Sequence, residues 1–431
     1  MIFGYHSRAQ KTHTPVSTFQ IHAHKPTSPR NKMEEISVTK EISELKSQLS
    51  YTKNIGFFMG AGTSCALGLP NISQLTEQVE LLLKPEALAH FNIIKSDLKS
   101  KNPDAITSIE DILNQFRRIR EITGERADSN FLGVDGLSAK NIDIEICKHI
   151  YNIINDKESA ASLKTPKKFF AWFNMQNRDY SKEIFTTNYD LIIEKSLESI
   201  RAPYFDGFVG SYEPFFWQES VERHIKKNDL TQNWIRLWKI HGSLSWFWKG
   251  NANTKSHKVV RLGRVEKIGE ERNEIVIYPS KEKYDSSRRQ PFLVYFDRLK
   301  DYLLGGELLF IFSGYSFLDQ HINEIIFNCL RQNNRLSVVV FFYSDLEVER
   351  LEPLSAGYLN LTVFGPKKAI VNGVFGVWKF EQFELNMKAT NNRFWCEKTN
   401  SLLLGDFNYL VDFLVANSGR QHEIEITTNE E

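Results

Sequence analysis

The chain has 431 residues, too many for one simple domain, and its 41% hydrophobic and 13% aromatic content supports a real core rather than a disordered chain. Lys and Arg number 54 against 53 Asp and Glu, a formal net charge of +1, so bulk electrostatics make no case for direct nucleic-acid binding or an anionic membrane surface. The four cysteines, Cys65, Cys147, Cys329 and Cys396, form no C-x-x-C pair, which argues against structural zinc and fits a reducing cytoplasm; no apolar run approaches the ~20 residues of a membrane span, and no signal-type apolar segment follows the basic start.

Residues 1–32 are polar, rich in His, Thr, Ser, Lys and Pro, and are expected to be a disordered extension. Apolar residues at helical spacing predict a helix from Glu34 to Leu49. Asn54 to Met59 reads as a buried strand, and Ser73 to Leu83 as a helix. About 84–180 reads as a helical insertion, with Ile112, Leu113 and Phe116 and then Ile144, Cys147, Ile150 and Ile153 as core-facing stripes.

From residue 183 the pattern turns to strands: Ile184–Thr186, Leu237–Ile240, Ile275–Tyr278, Leu308–Phe312 and Ser337–Phe342. Near-continuous apolar runs mark strands covered on both faces. Helical stretches, Asp190–Leu197 and His321–Leu330, separate several of them. Such alternation predicts an α/β fold with a Rossmann-like, doubly wound parallel sheet over 33–365, ligands binding at the carboxyl edge. Residues 366–431 read as a small C-terminal module, with a hairpin over Val371–Phe380 and a short helix over Asp406–Val415.

Five short segments sit where such a fold places ligand loops. Gly60-Ala61-Gly62-Thr63-Ser64 follows a strand and opens a helix, a setting that brings backbone amides and a helix N-terminus to a pyrophosphate. The G-x-G-x-x-G pattern is incomplete, because Cys65 stands at the third glycine. Thr186-Thr187-Asn188-Tyr189-Asp190 is a second strand-to-helix loop, where a plain helix cap is the simpler alternative. Lys239-Ile240-His241-Gly242-Ser243 holds the one histidine of 11 set in a strand-Gly-Ser turn, and imidazole accepts a proton near neutral pH. Tyr278-Pro279-Ser280 is the fourth segment. Gly314-Tyr315-Ser316, followed by Asp319, is the fifth; Asp319 reads equally as a helix cap.

Taken together these segments resemble the sirtuin-like domain, whose members share G-A-G-x-S, an Asn-x-Asp loop, a His-Gly loop and a late Gly-x-Ser loop. The run Gly314 to Asn323 looks like the bacterial branch that serves anti-phage defence, and the resemblance spans roughly 50–345. It implies NAD as substrate, with Gly60, Ala61, Gly62 and Thr63 on the pyrophosphate and Gly314 and Ser316 on the adenosine side. It also implies Asn188 at the nicotinamide ribose, placing the attacking water, Asp190 at the nicotinamide amide, and His241 as base. Deacetylating sirtuins carry a four-cysteine zinc module and Pro-Asp-Phe-Arg after the first loop; this chain has no such module and reads Pro70-Asn71-Ile72-Ser73. The expectation is therefore metal-free hydrolysis of NAD to nicotinamide and ADP-ribose. A deacylase, an ADP-ribosyltransferase and a non-catalytic NAD sensor are the alternatives. The resemblance further implies a homo-oligomer and a HerA-type translocase ATPase as partner. Aromatic residues of the C-terminal stretch, Phe375, Val377, Trp378, Phe380, Phe383, Phe394 and Trp395 among its apolar side chains, are expected either to pack on the main domain or to form a subunit contact.

Overall fold

The computed structural model describes residues 33–103, 107–176, 181–222, 233–250, 257–263, 274–277, 291–380 and 394–417. Among these, the centre of the molecule is a sheet of ten strands. Its order is Glu34–Ser37, Val374–Lys379, Lys368–Val371, Leu361–Phe364, Leu336–Phe341, Leu308–Ser313, Ile55–Met59, Lys182–Thr186, Ile235–Lys239 and Tyr204–Phe205. The seven strands from Leu361–Phe364 to Tyr204–Phe205 are all parallel. The mixed α/β class and the dominant parallel sheet therefore follow the reading of the sequence.

Side chains alternate between two apolar layers, which is why these strands are apolar on both faces. Phe57 and Ile311 join the layer formed by the helices Val38–Tyr51, Lys164–Asn174 and Phe407–Ala416. Phe58, Phe310 and Phe312 join the opposite layer, with Phe292–Leu304 and Gln320–Gln332. A third cluster gathers Leu75, Phe91, Phe116 and Ile146 from the helices between Ile72 and Ala160, together with Leu244 and Phe247. There the buried Asp143 accepts from Arg117 Nε at 3.2 Å and Arg120 at 2.5 Å, tying Ile109–Thr123 to Gly136–Ala160.

The structure differs from the sequence reading at three places. Glu34–Ser37 is a strand, pairing in parallel with Val374–Lys379, and the helix begins only at Val38, where the Ser37 hydroxyl caps Lys40 N. Glu274–Ile277 is a strand as expected, but it leaves the parallel sheet and pairs antiparallel with Gly242–Gly250 in a second, five-stranded sheet. That second sheet was not foreseen: four of its five strands have five residues or fewer. Third, the hairpin turns at Asn372-Gly373, both left-handed, and begins at Lys368, continuing the main sheet from Leu361–Phe364.

The C-terminal aromatics pack on the main core. Trp378 is buried and donates its indole N–H to Gly365 O at 2.8 Å, while Phe394, Trp395 and Phe407 join the layer of Val38 and Phe169. Phe383 lies outside the described residues.

Candidate active site

Strand register sets the site. Met59, Thr186, Lys239, Ser313 and Phe341 stand in one row across five adjacent parallel strands. The residues that follow, Gly60, Thr187, Ile240, Gly314 and Phe342, therefore form the carboxyl rim. Strand order reverses at Ile55–Met59: the chain first fills one side of it with Lys182–Thr186 and Ile235–Lys239, then the other with Leu308–Ser313, Leu336–Phe341 and Leu361–Phe364. That is the switch point where open parallel sheets leave a crevice. The first, second, third and fifth segments meet on this rim. Tyr278-Pro279-Ser280 lies outside the described residues.

The glycines of the first and last loops are required by one another. Gly60 N donates to Ser313 O and Gly62 N to Gly314 O, each at 2.9 Å. A Cβ on Gly60 would stand 2.4 Å from Gly314 O, and one on Gly314 2.4 Å from Thr63 N. Gly314 also has φ +66°, the left-handed region. The two loops thus interlock by backbone, leaving Ala61 and Gly62 exposed on the rim. Ser316 is half-buried on the same loop.

Asn188 is the hub beneath them. Its Nδ2 donates to Thr63 Oγ1 at 3.1 Å and to Ser64 Oγ at 2.9 Å. The Ser64 hydroxyl in turn donates to Asp190 Oδ2 at 2.6 Å, and the Thr63 hydroxyl to Gly60 O at 2.8 Å. Because a carboxylate and a carbonyl can only accept, both hydroxyl protons are committed outward. Both hydroxyl oxygens must then accept from Asn188, which fixes its amide with Nδ2 toward them. Asn188 Oδ1 is left buried without a hydrogen-bond partner. Such a group costs about 1–3 kcal/mol unless something fills its need. A small pocket lies here, its lining including Thr63, Ser64, Asn188, Asp190, Phe170 and Phe407.

The Asn188 loop is held from several directions. Thr186 Oγ1 accepts from Asn188 N at 2.9 Å, Leu244 N donates to Tyr189 O at 2.9 Å, and Asp190 Oδ1 accepts from Ile192 N at 3.2 Å. Lys239, 1% exposed, donates to Asp190 O and to Glu194 Oε1, the latter at 2.7 Å. A fully buried lysine with only carbonyl and carboxylate partners is here a strut. Burial and the Asp190 charge push the neighbouring Cys65 thiol up, so it stays protonated and is a poor nucleophile.

His241 follows Ile240, whose N donates to Thr186 O at 2.8 Å, so its loop leaves the strand next to that of Asn188. Its Nε2 meets Asp319 Oδ2 at 3.1 Å, with side chains 13% and 25% exposed. Burial opposes a charge on the imidazole, but the Asp319 hydrogen bond and the charges of Glu110 and Asp319 outweigh it and hold its pKa above the ordinary value. Partial burial would raise the pKa of the half-buried Asp319, yet His241 and two backbone amides hold its carboxyl below the usual range.

Two residues of this constellation were not singled out from sequence. Ser64 stood inside the first motif without a role, and it carries the link from Asn188 to Asp190. Lys239 was the polar exception in an apolar strand. Asp319 was placed in the fifth segment with a helix cap as the equal alternative; it both caps a helix and binds His241. Among the described residues no group of three or more His, Cys, Asp or Glu side chains is placed to hold a metal, and no helix is long and apolar enough to cross a membrane.

Solved structures with similarity to this chain include a Sir2 homologue in complex with NAD, 12% identical over 72% of this chain and 85% of that one, TM-score 0.33. Another is Sir2Tm bound to a propionylated peptide, 11% identical over 70% and 86%, TM-score 0.33. No curated protein matches the chain. The stretch 182–360, which carries the Asn188, His241 and Gly314 loops, matches the family model of the SIR2-like domain.

Proposed function

We propose that the protein hydrolyses NAD at the bond between nicotinamide and ribose. The observation that carries this is the fixed orientation of Asn188. Its amide is locked by Thr63, Ser64 and Asp190 so that a buried carbonyl oxygen is left over for a substrate or water, on the strand end beside that of His241. The match of 182–360 to the SIR2-like domain supports NAD as the ligand.

In the reaction, the water oxygen bonds to ribose C1′ as the C1′–N bond breaks. The bonding pair moves onto the nicotinamide nitrogen and cancels its positive charge, so no general acid is required. Positive charge builds on the ribose in an oxocarbenium-like transition state. Asn188 Oδ1 accepts from the water and orients it, and His241 takes its proton. Products are nicotinamide and ADP-ribose. The protein's main contribution is placement of one nucleophile at a site whose loops interlock. Gly60, Ala61, Gly62 and Thr63 take the pyrophosphate, Gly314 and Ser316 the adenosine side, and Asp190 the nicotinamide amide. We assign the biological setting, NAD depletion in anti-phage defence by a homo-oligomer with a HerA-type ATPase partner, on the resemblance of residues 314–323 alone.

The test is the purified full chain with NAD, alone and with the neighbouring gene's product, nicotinamide and ADP-ribose being followed by chromatography. Free ADP-ribose in step with nicotinamide is the expected result. Label from NAD retained on protein, without free ADP-ribose, would move the assignment to transfer.

A further inference from the structure

The geometry points to Asp319 as the positioning residue for His241, fixing the imidazole with its proton on Nε2 and its lone pair on Nδ1. This rests on the proposed hydrolase reading for its catalytic consequence, though not for its structural content.

The two oxygens of Asp319 have separate duties. Oδ1 caps the helix Gln320–Gln332, accepting from His321 N at 2.9 Å and Ile322 N at 3.2 Å. Oδ2 meets His241 Nε2 at 3.1 Å. An ionised carboxylate only accepts, so Nε2 must carry the proton, and neutral His241 then has its basic lone pair on Nδ1. The carboxylate also stabilises the imidazolium formed when Nδ1 takes a proton. The partner of a working histidine commonly acts in this way, without itself being protonated. Glu110, on the helix Ile109–Thr123, adds a second negative charge near the ring.

The loop that presents Asp319 is built to hold it still. Phe317 is left-handed, φ +54°, a conformation costing roughly 1–2 kcal/mol for a residue of this size. It is kept there by Asn323, whose Nδ2 donates to Phe317 O at 2.8 Å, and by ring contacts to Phe312 at 5.1 Å and Tyr315 at 4.9 Å. A cap alone does not need the carboxylate's second oxygen turned toward a strand end 78 residues away.

Asp319→Asn separates cap from positioning. Asn caps helices as well as Asp. Its single oxygen stays with the helix amides, so its NH₂ faces His241 and forces the lone pair onto Nε2. We expect thermal stability near wild type, KM for NAD within a few-fold, and kcat lower by about 10²–10⁴-fold. Asp319→Ser, a second capping residue without carboxylate or amide, should also lose kcat. Nitrogen-15 NMR of histidine-labelled protein, with the His241 signals assigned by His241→Gln, should show protonated Nε2 in the wild type and the other tautomer in Asp319→Asn. Wild-type kcat and an unchanged His241 tautomer in both variants would overturn the proposal. Should the wild type release no nicotinamide, the hydrolase reading fails, and the tautomer comparison still decides the role of Asp319.

Discussion

The two halves of the site are built on opposite principles. Around Asn188 the groups are hydroxyls, an amide and backbone, closed by one carboxylate, and each proton has a single place to go. Around His241 the same rim carries a titratable ring that feels negative charge from two helices, Asp319 and Glu110. The first arrangement is fixed by the direction of its hydrogen bonds. The second is equally fixed in space, yet its charge changes with pH. The difference separates placing the water from activating it, and each substitution below tests one side of that division.

His241→Ala should have the largest effect. A general base contributes ~10²–10⁴-fold, and the ring leaves behind only a partly exposed site, so turnover should fall by that factor with the fold intact. Chromatographic assay alongside circular dichroism checks it, and near wild-type cleavage by the folded variant would remove His241 from the base role.

Asn188→Ala should stop turnover as well, but with a different signature. The pyrophosphate loops do not depend on its side chain for their backbone interlock, so calorimetry should still register NAD binding. Thr63 and Ser64 lose their buried donor, and stability should drop by about 1–3 kcal/mol. Denaturant melts measure this. Complete loss of NAD binding by a folded variant would make Asn188 an anchor for the ligand instead.

The parts of this site that could be read from sequence were those set by local pattern. Each of the glycine, Asn188, His241 and Gly314 loops follows an apolar strand, and register alone brings them to one rim. What sequence did not show were pairings between loops. Nothing near Asp319 names a residue 78 positions earlier, and Asp-x-His at a helix start looks like a cap because it is one. Lys239 received no role of its own from sequence, since its burial depends on Asp190 O and Glu194. Glu34–Ser37 read as helix because four residues cannot display a period, and its strand partner lies about 340 residues later.

Gly314→Ala tests whether the neutral half depends on its backbone interlock. The new methyl meets Thr63 N in a left-handed position, so the loops must part or strain. Destabilisation of more than about 1 kcal/mol is expected, with weaker NAD binding in step. Gly357→Ala is the control: it is also left-handed, φ +91°, but a Cβ there meets nothing within 4 Å, so it carries the strain without the clash. Equal melting losses for the two would show that the interlock adds nothing beyond the conformation of the residue itself.

The smallest effect expected is that of pH, and it distinguishes the two halves without altering them. His241 has its pKa raised on folding, so its contribution to stability is fully present below its unfolded value of about 6.5 and is lost as pH rises through the higher folded value. Asp319 has its pKa lowered, so its contribution is present above its unfolded value of about 3.9 and is lost as pH falls through the folded one. The pair therefore stabilises most from about pH 4 to 6.5. Catalysis runs the other way, because a base must first be unprotonated. The kcat profile should rise with pH along a limb whose midpoint lies above 6.5, in the range where the pair's contribution to stability is fading. Melting temperature and kcat measured across the same buffers check both curves. A kcat limb centred at or below the ordinary histidine value would mean that Asp319 and Glu110 do not govern the ring in the working enzyme.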